Sequence, residues 1–100
     1  MIYSGYHFDW DKGNRDKNKK HKVEDSECEE VFFDPEKVVL RDPLHSTNEK
    51  RLILLGNTRK ERLLFIVFTL RKDKVRVISA RDINKREIFL YEKKSKNPKI

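Results

Sequence analysis

Apolar and polar residues alternate from Tyr6 to Trp10, with Tyr6, Phe8 and Trp10 on one side and His7 and Asp9 on the other. That period of two predicts a short, half-buried strand. Asp11 to Lys20 is polar almost throughout and contains Gly13; with no apolar stripe to hold it to a core, it reads as a weak helix or a helical loop. Asp25 or Ser26 can cap a second short helix, whose buried stripe is Cys28, Val31 and Phe32 and whose end is set by Asp34-Pro35. Four strands are predicted next. Val38-Val39-Leu40 is brief and closed by Asp42-Pro43, and Arg51 to Leu55 ends at Gly56-Asn57. Leu63 to Leu70 carries no charge and is too short for a buried helix between polar flanks, so it is read as the central strand, covered on both faces. Arg71-Lys72-Asp73-Lys74 makes a hairpin turn, after which Val75, Val77 and Ser79 alternate with Arg76, Ile78 and Ala80. Asp82 then caps a last helix with Ile83, Glu87, Leu90 and Tyr91 on one face. The order β-α-α-β-β-β-β-α predicts an α+β domain, its helices packed on a meandering antiparallel sheet.

A chain of 100 residues sets the scale of that domain: a single unit with a modest core over 6–92 and a basic tail, 93–100, that frays. No apolar run is long enough to span a membrane, and Met1-Ile2-Tyr3-Ser4-Gly5 lacks the basic-then-apolar order of a signal peptide, so the cytoplasm is the expected location. The net charge of +7 is unevenly distributed. Residues 23–36 hold seven acids and no base, whereas residues 50–100 hold sixteen bases and five acids. Solvated surface accounts for any single lysine; the pattern as a whole suggests a basic face for a polyanion and an acidic flank that turns other anions away.

Candidate chemistry narrows this further. His7, His21 and His45 are far apart, so no metal site is expected, and Gly5, Gly13 and Gly56 stand alone, so there is no phosphate-cradling loop. No cofactor is implied. Cys28 lies among carboxylates and reads as a buried structural thiol. What remains is arginine, lysine, histidine and tyrosine chemistry, which suits RNA: a base for the 2′-hydroxyl, cations for the phosphorane and an acid for the leaving oxygen. His21 is either a base or an exposed histidine in a charged run. Glu49 and Arg51 share one strand face as catalytic groups or as an ion pair. Arg81 is a bidentate phosphate ligand or a structural clamp to Glu87, and Glu87 and Tyr91 stand one helical turn apart. Lys17, Lys20, Arg62 and Arg76 are the candidate RNA contacts.

Several blocks resemble the BrnT family, the toxins of type II toxin–antitoxin modules. They are Phe8-Asp9-Trp10-Asp11, Gly13-Asn14, Lys17-Asn18, Lys20-His21 and Val31-Phe32-Phe33-Asp34, followed by Asp42-Pro43 and His45-Ser46. Glu49-x-Arg51 leading to Leu55-Gly56, Arg62-Leu63-Leu64, Ile78-Ser79-Ala80-Arg81 and Glu87-x-x-x-Tyr91 extend the likeness to residues 8 to 91. The family often has one more residue before the Lys-His pair and a glycine after it, where this chain has Lys22. The resemblance implies a small RelE-like fold and a metal-independent endoribonuclease that arrests translation and growth. It implies neutralisation by a BrnA-like ribbon-helix-helix antitoxin, in a DNA-binding complex that represses its own operon. On this reading Lys20, His21, Arg51 and Arg81 surround the phosphate, Glu49 or Tyr91 orients them or moves protons, and Phe89, turned away from the apolar face of the last helix, is an anchor for the antitoxin. Two alternatives stand beside it: a non-catalytic basic module that binds nucleic acid or protein, and a basic surface that serves chiefly to dock an acidic antitoxin.

Overall fold

The uncharged run from Leu63 forms the middle of the molecule. In a computed structural model that describes residues 5–42 and 50–95, β3 (Leu63–Arg71) and β4 (Lys74–Asp82) form a hairpin. Lys72 and Asp73, the two residues between them, both have positive φ, 50° and 68°, the mirror-image turn that matches the twist of the flanking strands. β1 (Val38–Arg41) and β2 (Leu52–Asn57) complete a four-stranded sheet in the order β1-β2-β3-β4, antiparallel throughout. Two α-helices, α1 (Asp25–Val31) and α2 (Lys85–Ser95), and a 3-10 helix (Lys17–His21) are set against it. The described chain is α+β, as its patterning predicts. No helix in it is long and apolar enough to cross a membrane.

The sheet is covered on both faces. On the first, Leu54, Leu64, Ile66, Phe68, Val75, Val77 and Ala80 pack against Val23, Cys28, Val31 and Phe32, with Phe8 and Trp10 alongside. On the second, Val38, Leu55 and Phe65 meet Ile83, Leu90 and Tyr91. The helix stripe Cys28, Val31 and Phe32 is buried as its spacing predicts. One alternation is corrected. Val67 pairs with Ser79 but Phe68 with Val77, so Ile78 is an extra residue in β4, a bulge that shifts every later side chain to the opposite face. Ala80, not Ser79, therefore joins Val75 and Val77 in the core.

Other boundaries move for identifiable reasons. The Tyr6–Trp10 segment makes a single parallel bridge, Phe8 to Val75, rather than a strand. Its aromatic side still packs, with the Phe8 and Phe32 rings 5.3 Å apart. The chain turns away at Asp11, whose N–H donates to Asn14 Oδ1 while its own carboxylate accepts from Gly13. The 3-10 helix lacks an apolar stripe and is held by buried amides instead: Asn14 Nδ2 donates to Val77 O, and Asn18 Oδ1 accepts from Ala80 N–H. α1 is capped by Glu24, in a reciprocal pair with Glu27, rather than by Asp25 or Ser26. Asp82 belongs to β4 and binds Arg62, and Asn84 starts α2 by exchanging hydrogen bonds with Glu87. Gly56 lies inside β2, where the expected strand had already ended. α2 extends to Ser95, and residues 96–100 of the expected tail lie outside the described residues.

Candidate functional site

The bulge at Ile78 places Arg81 opposite Phe65, on the α2 side of the sheet. Its guanidinium carbon lies 4.0 Å from the centre of the Phe65 ring, a cation–π seat that fixes the plane of the fork. Nη1 and Nη2 donate to the two carboxylate oxygens of Glu87 at 3.0 and 2.9 Å, and Nη1 also reaches Asp82 O. The clamp to Glu87 is thus formed, and the Arg81 side chain is still 40% exposed. Burial raises the pKa of Glu87, but the hydrogen bonds from Arg81 and Asn84 outweigh it and hold this carboxyl below its ordinary range.

Tyr91 is on the same side but faces another way. Its hydroxyl donates to Asp34 Oδ2 at 2.8 Å and accepts from Asn57 Nδ2 at 3.4 Å. Burial first, and then the Asp34 carboxylate, push the phenol up to about 12. It is held as a neutral donor to a carboxylate. Asp34 also accepts from the N–H groups of Glu36 and Asn57, so it joins the end of α1, β2 and α2. Neither Asp34 nor Asn57 is among the sequence-derived candidates. Asp34 closes the block Val31-Phe32-Phe33-Asp34, where its visible signal was that of a helix stop.

Arg62 is the other hub. Nε and Nη2 donate to the Asp82 carboxylate at 2.7 and 3.2 Å, Nη1 to Glu27 at 3.1 Å and to Lys22 O at 2.8 Å, and Nη2 to His21 O at 3.5 Å. The hydrogen bond to Asp82 raises the arginine's pKa, and Arg62 in turn keeps Asp82 below the usual carboxylate range. The loop after the 3-10 helix, where Lys22 has φ 60°, is thereby tied to the end of β4. Asp82 links the two hubs, accepting Arg62 on its carboxylate and Arg81 on its carbonyl. Backbone of His21, Arg62, Asp82 and Arg81 form one polar chain across the sheet end.

The remaining candidates are dispersed. Lys17, Lys20 and His21 are exposed on the 3-10 helix. Arg76 is held by Asp11 and Asp9 at 2.9 and 3.5 Å, far along β4 from Arg81. Arg51 immediately precedes β2, and its carbonyl accepts from Asp42 N–H. Glu49 and His45 lie outside the described residues. Phe89 is 66% exposed, with the Lys93 ammonium 5.9 Å from its ring centre. An open groove of about 540 Å³ beside α1 is lined by Glu29, Glu30 and Asp34, with Arg59 beside them and none of the candidate cations. Cys28 is buried, and burial, then Asp25, Glu27 and Glu29, push its thiol up to about 12, which leaves it inert. Among the described residues no group of three or more His, Cys, Asp or Glu is placed to hold a metal ion.

A family model described as the ribonuclease toxin BrnT of type II toxin–antitoxin systems matches residues 10–87. No curated protein sequence matches the chain.

Proposed function

Because the chain belongs to the BrnT family of ribonuclease toxins from type II toxin–antitoxin systems, we propose that it is a metal-independent endoribonuclease whose site lies on the surface at the end of β4. The observation that carries this reading is the setting of Arg81. Its fork is fixed in plane by Phe65 and in rotation by Glu87, yet its side chain stays 40% exposed. Such a cation is pre-organised for a phosphate that arrives from solvent.

In the proposed reaction a base takes the proton of a ribose 2′-hydroxyl, the oxygen attacks phosphorus, and the 5′-oxygen leaves with a proton from an acid. Arg81 stabilises the charge that builds on the phosphorane oxygens. His21, exposed beside Lys20, is the proton-transfer group on the 3-10 helix, and Lys17 and Lys20 hold the backbone of the RNA. Arg51, just before β2, lies at the opposite end of the sheet from Arg81 and is read here as outside the phosphate site. Arg62 and Arg76 are committed to carboxylates and act as supports, and Tyr91, bound to Asp34, supports α2. The four-stranded sheet with its two helices is read as a RelE-like fold. Cleavage of RNA arrests translation, and the antitoxin is a BrnA-like ribbon-helix-helix protein that binds operator DNA with the toxin attached.

Induction of the chain with and without the protein encoded beside it, together with RNA cleavage by the purified chain, tests this reading. Arg81→Ala is expected to slow cleavage by about 10²–10³-fold, the usual effect of removing one charge-stabilising donor. Intact RNA after incubation with folded protein, or an Arg81→Ala variant as fast as the native chain, would refute it. Salt-dependent binding without cleavage would identify a non-catalytic module instead.

A further inference from the structure

Five large apolar side chains among the described residues are conspicuously exposed, and four of them share one region. Tyr6, Phe33, Val39 and Leu70 are 40%, 60%, 51% and 56% exposed. Tyr6 stacks edge-on with Phe33 at 5.3 Å and lies 5.4 Å from Phe32. Between them runs an open groove of about 270 Å³ whose walls include Tyr6, Phe32, Val39, Leu52, Phe68 and Leu70. Single exposed apolar residues are ordinary; a contiguous set around a groove marks a binding surface. Aromatic walls stack RNA bases as readily as they hold a peptide, so the strand edge beside them decides the occupant.

Two further features say what fits. β1 is the terminal strand of the sheet, and the groove opens beside it. Asp42 donates its N–H to Arg51 O, so by the alternation of an antiparallel ladder Leu40 and Val38 also turn their backbone groups toward β2. The N–H and C=O of Val39 and Arg41 then point to the outer edge, a template for an added strand. The rim is basic: Lys37 lines the groove, and the exposed Arg41 shares its face through pairing with Leu52, against Asp73 as the lining acid.

We propose that an extended segment of the antitoxin adds to the outer edge of β1 and lays alternate apolar side chains into this groove, with carboxylates meeting Lys37 and Arg41. The inference rests on the antitoxin partner that the family implies, and adds where and in what form that partner binds. Phe89, isolated on α2, is outside the contact.

The test titrates the full chain with the protein encoded by the adjoining reading frame. A Val39→Glu, Leu70→Glu double variant places two carboxylates at exposed positions, away from Arg81 and the 3-10 helix. It is expected to bind roughly tenfold or more weakly. It should arrest growth as the native chain does, and go on doing so when the partner is co-expressed. Val39→Pro, which deletes one outward N–H, should also weaken binding, while Phe89→Ala leaves it unchanged. Amide exchange on the native pair gives an answer independent of variant folding: the outward N–H groups of Val39 and Arg41 are expected to gain protection on binding. Unchanged affinity in the folded double variant, unchanged exchange at Val39 and Arg41, loss confined to Phe89→Ala, or a native chain that dimerises through this groove would each overturn the proposal. A native chain that does not bind the partner at all would instead remove the antitoxin reading itself.

Discussion

Asp34 accepts three hydrogen bonds, from the N–H groups of Glu36 and Asn57 and from the Tyr91 hydroxyl. A buried carboxylate is tolerated only when its oxygens are satisfied in this way. Tyr91→Phe removes one of those donors and leaves the charge under-bonded. The variant is expected to lose about 1–3 kcal/mol in urea unfolding, while its RNA cleavage per folded molecule matches the native chain. A variant of native stability that no longer cleaves would restore the proton-moving role that the sequence suggested for Tyr91. The spacing Glu87-x-x-x-Tyr91 made both residues visible as one helix face. The clamp of Arg81 to Glu87 was one of the two readings of Arg81, but nothing in the sequence hinted that Tyr91 pairs with Asp34, because that partner arrives from the end of another helix. The same holds for Arg62 and Arg76, which look like RNA-facing cations until the fold brings Glu27, Asp82 and Asp11 beside them.

The elements are held in register by a bulge, a glycine and a cap. Gly56 sits where α1 crosses β2, and a Cβ there would meet Val31 Cγ1 at 2.9 Å and Asp34 Oδ2 at 3.0 Å. Gly56→Ala therefore forces α1 from the sheet and is expected to cost about 1–3 kcal/mol, read as a lower melting temperature. In the sequence the residue looked like a strand end, because Gly-Asn is a turn signal and close helix packing leaves no local trace. α2 depends on Glu87, which serves both Asn84 and Arg81. The folded state keeps this carboxyl below its ordinary value of 4.5, so its contribution is complete above pH 4.5 and is lost as the pH falls through the folded value. Melting temperatures measured from neutral pH downward should therefore fall below about pH 4.5, and Glu87→Gln should fall less steeply from a lower plateau. Equal slopes would exclude Glu87 as a source of acid lability.

For the whole molecule, the net +7 is a balance between an acidic α1 region and a basic remainder. Much of the acidic segment is engaged within the fold rather than directed outward at anions: Glu27 binds Arg62, Glu29 accepts from Trp10, Glu30 from Arg59 N–H, and Asp25 from Asp16 N–H. The cations left exposed on the 3-10 helix, Lys17 and Lys20, are then expected to contribute to RNA affinity through counterion release. Replacing either by alanine should reduce the slope of log affinity against log salt by about 0.7, measured by fluorescence titration of a single-stranded RNA. An unaltered slope would move the RNA track elsewhere. By itself the sequence determined the α+β class, the stripe of α1, the hairpin turn and the largely uncharged central strand, because periodicity, turn chemistry and hydrophobicity act between neighbours in the chain. Only the tertiary structure decided the Ile78 bulge, the choice of Asn84 over Asp82 as the start of α2, and which carboxylate holds which arginine. Those outcomes depend on groups tens of residues apart competing for the same hydrogen bonds, and that competition is resolved only when the strands have paired.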